Sequence, residues 1–307
     1  MSAYIGEIAA LITSLSFSTG SVFFTLAGRK AGAMVVNRIR LILAVLLLTL
    51  AHLLSRTPLP LAVDGERWLW LGASGVVGLV LGDIFLFQAF VLIGPRLSML
   101  MMALAPVIAT LLAWILLHET IAAGTLLGIL LTLSGVVWVV LEGNRQRNNS
   151  GLPARTHEQN RDYRRGIFYG VGAAFGQAAG LVLAKPGLAG DFPALTGTLM
   201  RMLAAVTVMW LLTFAQRKAG ETIRTVRSKP ESLLYMLGGA FFGPFIGVTF
   251  SLLAVQNTQV GIASTLMALP PVFLLPISYV VFKERYNWQV ILGTLAAIGG
   301  VAVIFLV

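Results

Sequence analysis

The chain has no cysteine, only three histidines and few charges: 11% of its 307 residues are Asp, Glu, Lys or Arg, against about a quarter in an average soluble domain. Without cysteine there are no disulfides, no thiol chemistry and no thiolate metal site. His52, His118 and His157 are scattered, with no spacing that would bring two imidazoles to one ion. No metal and no cofactor is expected. No apolar segment holds two carboxylates or a His–acid pair. Catalysis needs such a cluster of bases, nucleophiles or ligands, so the chain does not read as an enzyme.

What fills the sequence instead is apolar. Hydrophobic residues make up 57% of it, and the mean hydropathy is +0.88. A hydrocarbon core is crossed by about 20 helical residues, and ten apolar stretches approach or exceed that length. They lie near 5–27, 34–54, 68–90, 97–117, 124–141, 166–184, 194–215, 233–255, 260–282 and 288–307. Hydrocarbon offers backbone groups no water partner, so spanning segments are helices or closed barrels, and these runs are too long for the alternating strands of a barrel. The expected fold class is all-α integral membrane, with ten transmembrane helices. The first run lacks a positive leading region and ends in AGRKAG, which reads as a retained helix rather than a cleaved signal. The net charge is +10, but the Lys and Arg sit in short connections where anionic headgroups attract them. Membrane lipids, not nucleic acid, are the expected partners of that charge.

Residues 101–108, MMALAPVI, recur as LMALPPVF at 266–273. An offset of 165 aligns much more: Gly78 with Gly243, Gly82 with Gly247, Ala89 with Ala254, Pro106 with Pro271, Glu119 with Glu284 and Gly135 with Gly300. An offset of 161 pairs Arg40 with Arg201. The chain is two tandem five-helix units, residues 1–142 and 166–307, joined by a polar stretch, 143–165, that reads as a flexible surface linker. Five is odd, so the second unit enters from the opposite face and the repeats are inverted. Two inverted copies rocking about a shared site is the usual basis of alternating access.

The segments LAPVIATLLAWILLHETIAAGTLLGILLTLSGVVWVV (104–140) and LPPVFLLPISYVVFKERYNWQVILGTLAAIGGVAVIF (269–305) share a proline, a following Glu, then a Gly and a Gly-Val. They resemble the EamA repeat of the drug/metabolite transporter superfamily, and GLVLGDIFLFQAFVLIG (78–94) resembles its third helix. The resemblance covers both copies. It implies a ten-helix carrier of small molecules, commonly an exporter, with a cavity bounded by helices at the front of each repeat. It does not name a substrate.

Pro106 is the tenth residue of the fourth expected helix and Pro271 the twelfth of the ninth. A helical proline frees the carbonyl four residues earlier, here Met102 and Met267, and in a membrane that carbonyl needs protein, water or ligand. Pro270 adds to the distortion. These prolines are expected either as hinges that open the midplane or as packing kinks. Asp83 is a carboxylate inside an apolar run, which makes it a functional candidate by default. Counted from helix ends on the same face, Asp83 and Arg40 both lie roughly 10 Å deep. An Asp83–Arg40 ion pair is therefore one reading; a proton-carrying carboxylate and a ligand for a substrate ammonium are the others. Val248 replaces Asp83 in the second copy, which leaves Arg201 with no acid at its depth. Its guanidinium either suits an anionic substrate or snorkels to the headgroups. Ser18 with its neighbouring hydroxyls, Gln88 and Gln177 either line a polar path or let helices pack closely. Glu119 and Glu284 read as helix-end anchors.

Of the 22 Lys and Arg, all but Arg56, Arg67, Lys185 and Arg201 lie nearest the face that carries the linker. The positive-inside rule then puts the linker in the cytoplasm and the termini outside, whereas the family resemblance implies termini inside. The function expected is a secondary-active, multi-pass carrier of the cytoplasmic (inner) membrane. It would move small amphipathic metabolites or drugs, such as amino acids and related compounds, outward by alternating access. Protons are a candidate second substrate through Asp83, and the carrier would be a monomer or homodimer. The alternatives are a non-transporting assembly component and a lipid-translocating protein.

Overall fold

The computed structural model describes residues 4–57, 59–117, 123–149, 156–190, 192–257, 266–283 and 287–306. Every regular element among them is helical. In the first half these are α1 (Ile5–Ala31), α2 (Ala33–Ser55), α3 (Gly65–Ser74), a wider π segment (Gly75–Gly82), α4 (Asp83–Met102), α5 (Leu104–Leu117) and α6 (Ala123–Asn149). The second half has α7 (His157–Gly187), α8 (Ala194–Ala215), α9 (Ala219–Ser228), α10 (Pro230–Ala240), a second π segment (Phe241–Gly247), α11 (Val248–Asn257), α12 (Pro270–Phe282) and α13 (Trp288–Leu306).

Among the described residues, six helical rods are long and apolar enough to cross a membrane: Ile5–Ala31, Ala33–Ser55, Gly65–Met102, His157–Gly187, Ala194–Ala215 and Pro230–Ala254. Shorter apolar helices cover Leu126–Val139, Pro270–Phe282 and Trp288–Val303. The 38-residue rod Gly65–Met102 breaks at Gly94, whose φ of 78° is a left-handed value that favours glycine, and Pro95 restarts the helix. That break is where the third and fourth apolar stretches of the sequence part.

Polarity runs inside out. Leu54 (77% exposed), Val280 (74%) and Phe168 (69%) face outward, whereas Thr13, Ser14, Ser18, Asn37, Arg40, Asp83 and Arg201 are buried. Hydrocarbon gives exposed leucine no reason to hide, so the packed interior is held by close contact and hydrogen bonds. The halves interlock reciprocally. The first helix of each half lies against the third of the other: α1 on α10, the second π segment and α11, and α7 on α3, the first π segment and α4. In the same way α2 meets α8, and α6 meets α13. The α7 seam is backbone against backbone: a Cβ on Gly176 would sit 2.5 Å from Gly82 Cα, and one on Gly180 2.8 Å from Gly78 Cα.

Two expectations are corrected. Residues 143–149 continue α6, and α7 begins at His157, so helix enters the stretch read as a flexible linker from both sides. The cause is local: Thr156 and Gln159 form a capping box, with Thr156 Oγ1 accepting from Gln159 N at 3.2 Å and Gln159 Oε1 accepting from Thr156 N at 3.2 Å. Residues 150–155, and also Glu119 and Glu284, lie outside the described residues. The second correction concerns the prolines. The apolar stretches expected as the fourth and ninth helices are not bent through their prolines: helix stops and restarts at Ala103 in the first copy and at the matching Ala268 and Leu269 in the second. Pro106 is the third residue of α5, and Pro270 and Pro271 open α12. In a first turn the missing proline N–H has no helical acceptor to lose.

Candidate functional site

The two π segments occupy matching positions in the repeats, where Gly78 and Gly82 correspond to Gly243 and Gly247. A π turn misaligns a carbonyl with the helical ladder and is often found at functional sites. In the first copy Leu79 O accepts from Arg40 Nη2 at 3.1 Å. The same Nη2 donates to Asp83 Oδ2, and Arg40 Nε donates to Asn37 Oδ1 at 3.0 Å. Its guanidinium also lies 4.9 Å from the centre of the Phe87 ring. Arg40 and Asp83 are each 3% exposed. Of the readings the sequence left open for Asp83, the ion pair is the one the geometry contains.

The second copy completes the cluster. Gln177 Nε2 donates to Asp83 Oδ1 at 3.4 Å. Arg201 is 3% exposed, so it does not snorkel to the headgroups. Its backbone is pinned where a Cβ at Gly75 would meet Arg201 O at 2.3 Å, and its side chain reaches over Gly78. A Cβ there would lie 3.6 Å from Arg201 Nη2 and 3.7 Å from Gln177 Oε1. Arg201 is close enough to Asp83 to interact with its charge. The acid absent from its own repeat is thus supplied, at a distance, by the other. Arg201 Nε has no hydrogen-bond partner among the described residues. One carboxylate pairs with Arg40 and lies within electrostatic reach of Arg201, so among the described residues the cluster carries an excess positive charge in a buried site.

Other candidates fall elsewhere. Ser18 Oγ donates to Ser14 O at 2.7 Å and Pro270 O at 3.3 Å, and Ser14 Oγ to Leu266 O at 2.5 Å. Two of these bonds satisfy carbonyls at the interruption before α12, which hydrocarbon would leave bare. Met102 is partly buried and packs against the buried apolar core, and Met267 packs beside Ala9, Ala10 and Ala254. Gln88 is half-buried on α4. Pro106, Pro270 and Pro271 mark helix restarts rather than the charged cluster.

Polar tethers between the halves were not anticipated. At the α1 end, Lys30 pairs with Glu231, Lys229 Nζ donates to Lys30 O at 2.5 Å, and the buried Arg38 donates from Nη1 to Thr222 Oγ1 at 2.9 Å. At the start of α3, Arg67 Nη1 donates to Gly187 O (3.3 Å) and Ala189 O (3.0 Å), and its guanidinium covers the Phe192 ring at 4.7 Å. The sequence signal for these was weak, because loop charges are abundant and their partners lie far along the chain. Asn37 was also missed; its spacing of three from Arg40 on a helix is the only hint.

A family model described as the EamA-like transporter family matches residues 4–141 and 164–306. Among solved structures, a crystal structure described only as that of a protein is similar with a TM-score of 0.65, at 18% identity over 98% of this chain and 96% of that chain. At that identity the likeness concerns the fold alone. No curated protein matches. With one transporter repeat in each half and six apolar rods long enough to cross a bilayer, this multi-pass membrane protein belongs to the EamA-like transporter family.

Proposed function

We propose that the protein is a secondary-active carrier of the cytoplasmic membrane, with ten transmembrane helices in two inverted five-helix repeats. It exports small amphipathic metabolites or drugs by alternating access. The observation that carries this reading is the charged cluster, because Arg40 and Asp83 come from one repeat and Gln177 and Arg201 from the other. Buried ionisable groups in a membrane protein are costly to insert and mark substrate or ion pathways. Here they sit on the surface along which two rocking halves would move.

Depth supports the same reading. Arg40 is seven residues into α2 and Arg201 seven into α8, roughly 10 Å along each helix. In the ten-helix topology those helices start from opposite faces, so their meeting at Asp83 falls in the middle of a core about 30 Å thick. Midplane sites at a repeat interface are the usual place for carrier substrates. Proton coupling through Asp83, the carboxylate of the cluster, is part of the reading.

The test is purified protein in liposomes with radiolabelled amino acids and other small metabolites, with and without a pH gradient. Saturable flux of at least one solute is expected. If a broad panel gives none, a non-transporting assembly component or a lipid-translocating protein takes its place, and fluorescent-lipid scrambling in the same liposomes separates those two. Flux that ignores the pH gradient removes proton coupling and leaves the carrier.

A further inference from the structure

Resting on the carrier reading, we infer that the cargo is a small organic monoanion whose carboxylate docks on Arg201. Arg40 is already engaged: its Nε and Nη2 are held by Asn37, Leu79 O and Asp83, and its face lies on Phe87. Arg201 is not. Its Nε has no hydrogen-bond partner among the described residues although the side chain is 3% exposed. Among the described residues the carboxylate within its electrostatic reach is Asp83, which is already bonded to Arg40 and Gln177. A buried donor with no acceptor is destabilising, and an excess positive charge in low dielectric more so. A ligand that brings one negative charge and two acceptor oxygens satisfies both deficits.

The shape of the deficit sets the ligand class. A guanidinium is a planar fork that matches a carboxylate in two parallel bonds. The cluster lacks one negative charge, and a carboxylate brings one; a phosphate monoester brings about 1.5 to 2 at neutral pH and would leave the site overcharged in the other sense. An ammonium or other cation meets the wrong sign. Gln177, whose Oε1 faces the same space above Gly78, adds a polar group to the site. The π segment and glycine seam matter here as well. With no side chain at Gly75 the Arg201 backbone can lie against the π segment, which carries its head over Gly78 into the seam between the repeats.

The experiment measures thermal unfolding of the purified full-length protein in detergent with matched ligands: 3-phenylpropionate and 4-methylpentanoate, their amides, the corresponding amines, and inorganic phosphate. The two acids are expected to raise the midpoint in a saturable way, with little effect from amides, amines or phosphate. Arg201→Gln without ligand is expected to unfold at or above the wild-type midpoint, because it removes the excess positive charge of the cluster, and to bind the acids at least about 30-fold more weakly. Arg201→Lys keeps the charge but not the fork and is expected to fall between. The inference is overturned if no acid shifts the wild-type protein, if amides, amines or phosphate shift it equally, or if the acid effect survives in Arg201→Gln. It is also overturned if Arg201→Gln is itself strongly destabilised or unfolded, which a structural arginine would show. The liposome assay keeps this separate from the carrier reading: acid binding without flux sinks the carrier, whereas flux of amines or neutral solutes that ignores Arg201→Gln sinks only the anion.

Discussion

Arg40 and Asp83 form an ion pair whose side chains are each 4% exposed, with the guanidinium also holding Leu79 O in the π segment and Asn37 in its own helix. A pair this deep adds little net stability over well-packed apolar side chains of the same volume. Breaking it from one side is another matter, because Asp83→Asn leaves both Arg40 and Arg201 without a countercharge. A loss of about 3–5 kcal/mol is expected, read as a lowered unfolding midpoint in detergent. The double variant Arg40→Met, Asp83→Leu removes the pair as a unit and is expected to recover most of that loss. A fully stable Asp83→Asn whose flux no longer responds to pH would instead make Asp83 a proton carrier with no structural role.

The glycine seam gives a second prediction with an internal control. A Cβ at Gly176 would stand 2.5 Å from Gly82 Cα and 3.0 Å from Gly82 N, where only backbone is available to move. Gly176→Ala is expected to push α7 off the first π segment, carrying Gln177 away from Asp83, at a cost of about 1–3 kcal/mol. Flux should fall more than stability does. Gly220, in α9, has open space where its Cβ would be. Gly220→Ala is expected to leave flux unchanged and stability equal or raised by up to about 1 kcal/mol.

Much of this was legible in the sequence, and what was not has physical causes. Pairing Asp83 with Arg40 required only counting residues from helix ends on one face, since helical rise is constant. The same count failed to bring Arg201 near Asp83, because it compared depths within one repeat and the contact is between repeats. The recurrence of MMALAPVI as LMALPPVF correctly flagged a repeated irregularity, but proline was taken as its centre. The structure puts the break at Ala103 and at Ala268 with Leu269, one to three residues earlier, since proline is tolerated in a first turn and not in the middle of a helix. The π segments were invisible to hydropathy, which has no register. The matched glycines at an offset of 165 were their only trace.

Ser14 and Ser18 offer a third prediction. Both donate to carbonyls at the interruption before α12, Leu266 O and Pro270 O. Ser14→Ala with Ser18→Ala leaves those groups without these donors, at an expected cost of about 1 kcal/mol each. The cysteine-free background allows a cleaner readout than the midpoint alone. A single cysteine at Ala268, which is 9% exposed, should react faster with a membrane-impermeant maleimide in the double variant, because a break that has lost its donors recruits water. Unchanged labelling and stability would mean that the hydroxyls are incidental.

The tethers at opposite ends of the molecule bear on alternating access, which requires one set to part while the other holds. Lys30 with Glu231 ties α1 to the start of α10, and Arg67 ties α3 to the end of α7 and the residues that follow it. The Lys30–Glu231 pair is partly solvated, with the two side chains 35% and 66% exposed, so it is weak. A weak tether is enough to bias two conformations that are close to balance. Lys30→Glu replaces attraction by repulsion and is expected to populate the conformation open at that end. A single cysteine at Gln88, six residues before the Gly94 break, reports it: maleimide labelling from that face should rise several-fold. The reversed pair, Lys30→Glu with Glu231→Lys, should bring the rate back toward that of the parent. Arg67→Ala is expected to have the opposite effect, opening the other end and slowing labelling at Gln88, because the two ends compete for one equilibrium. If both substitutions raise labelling at Gln88, the ends open independently and the halves do not rock as units.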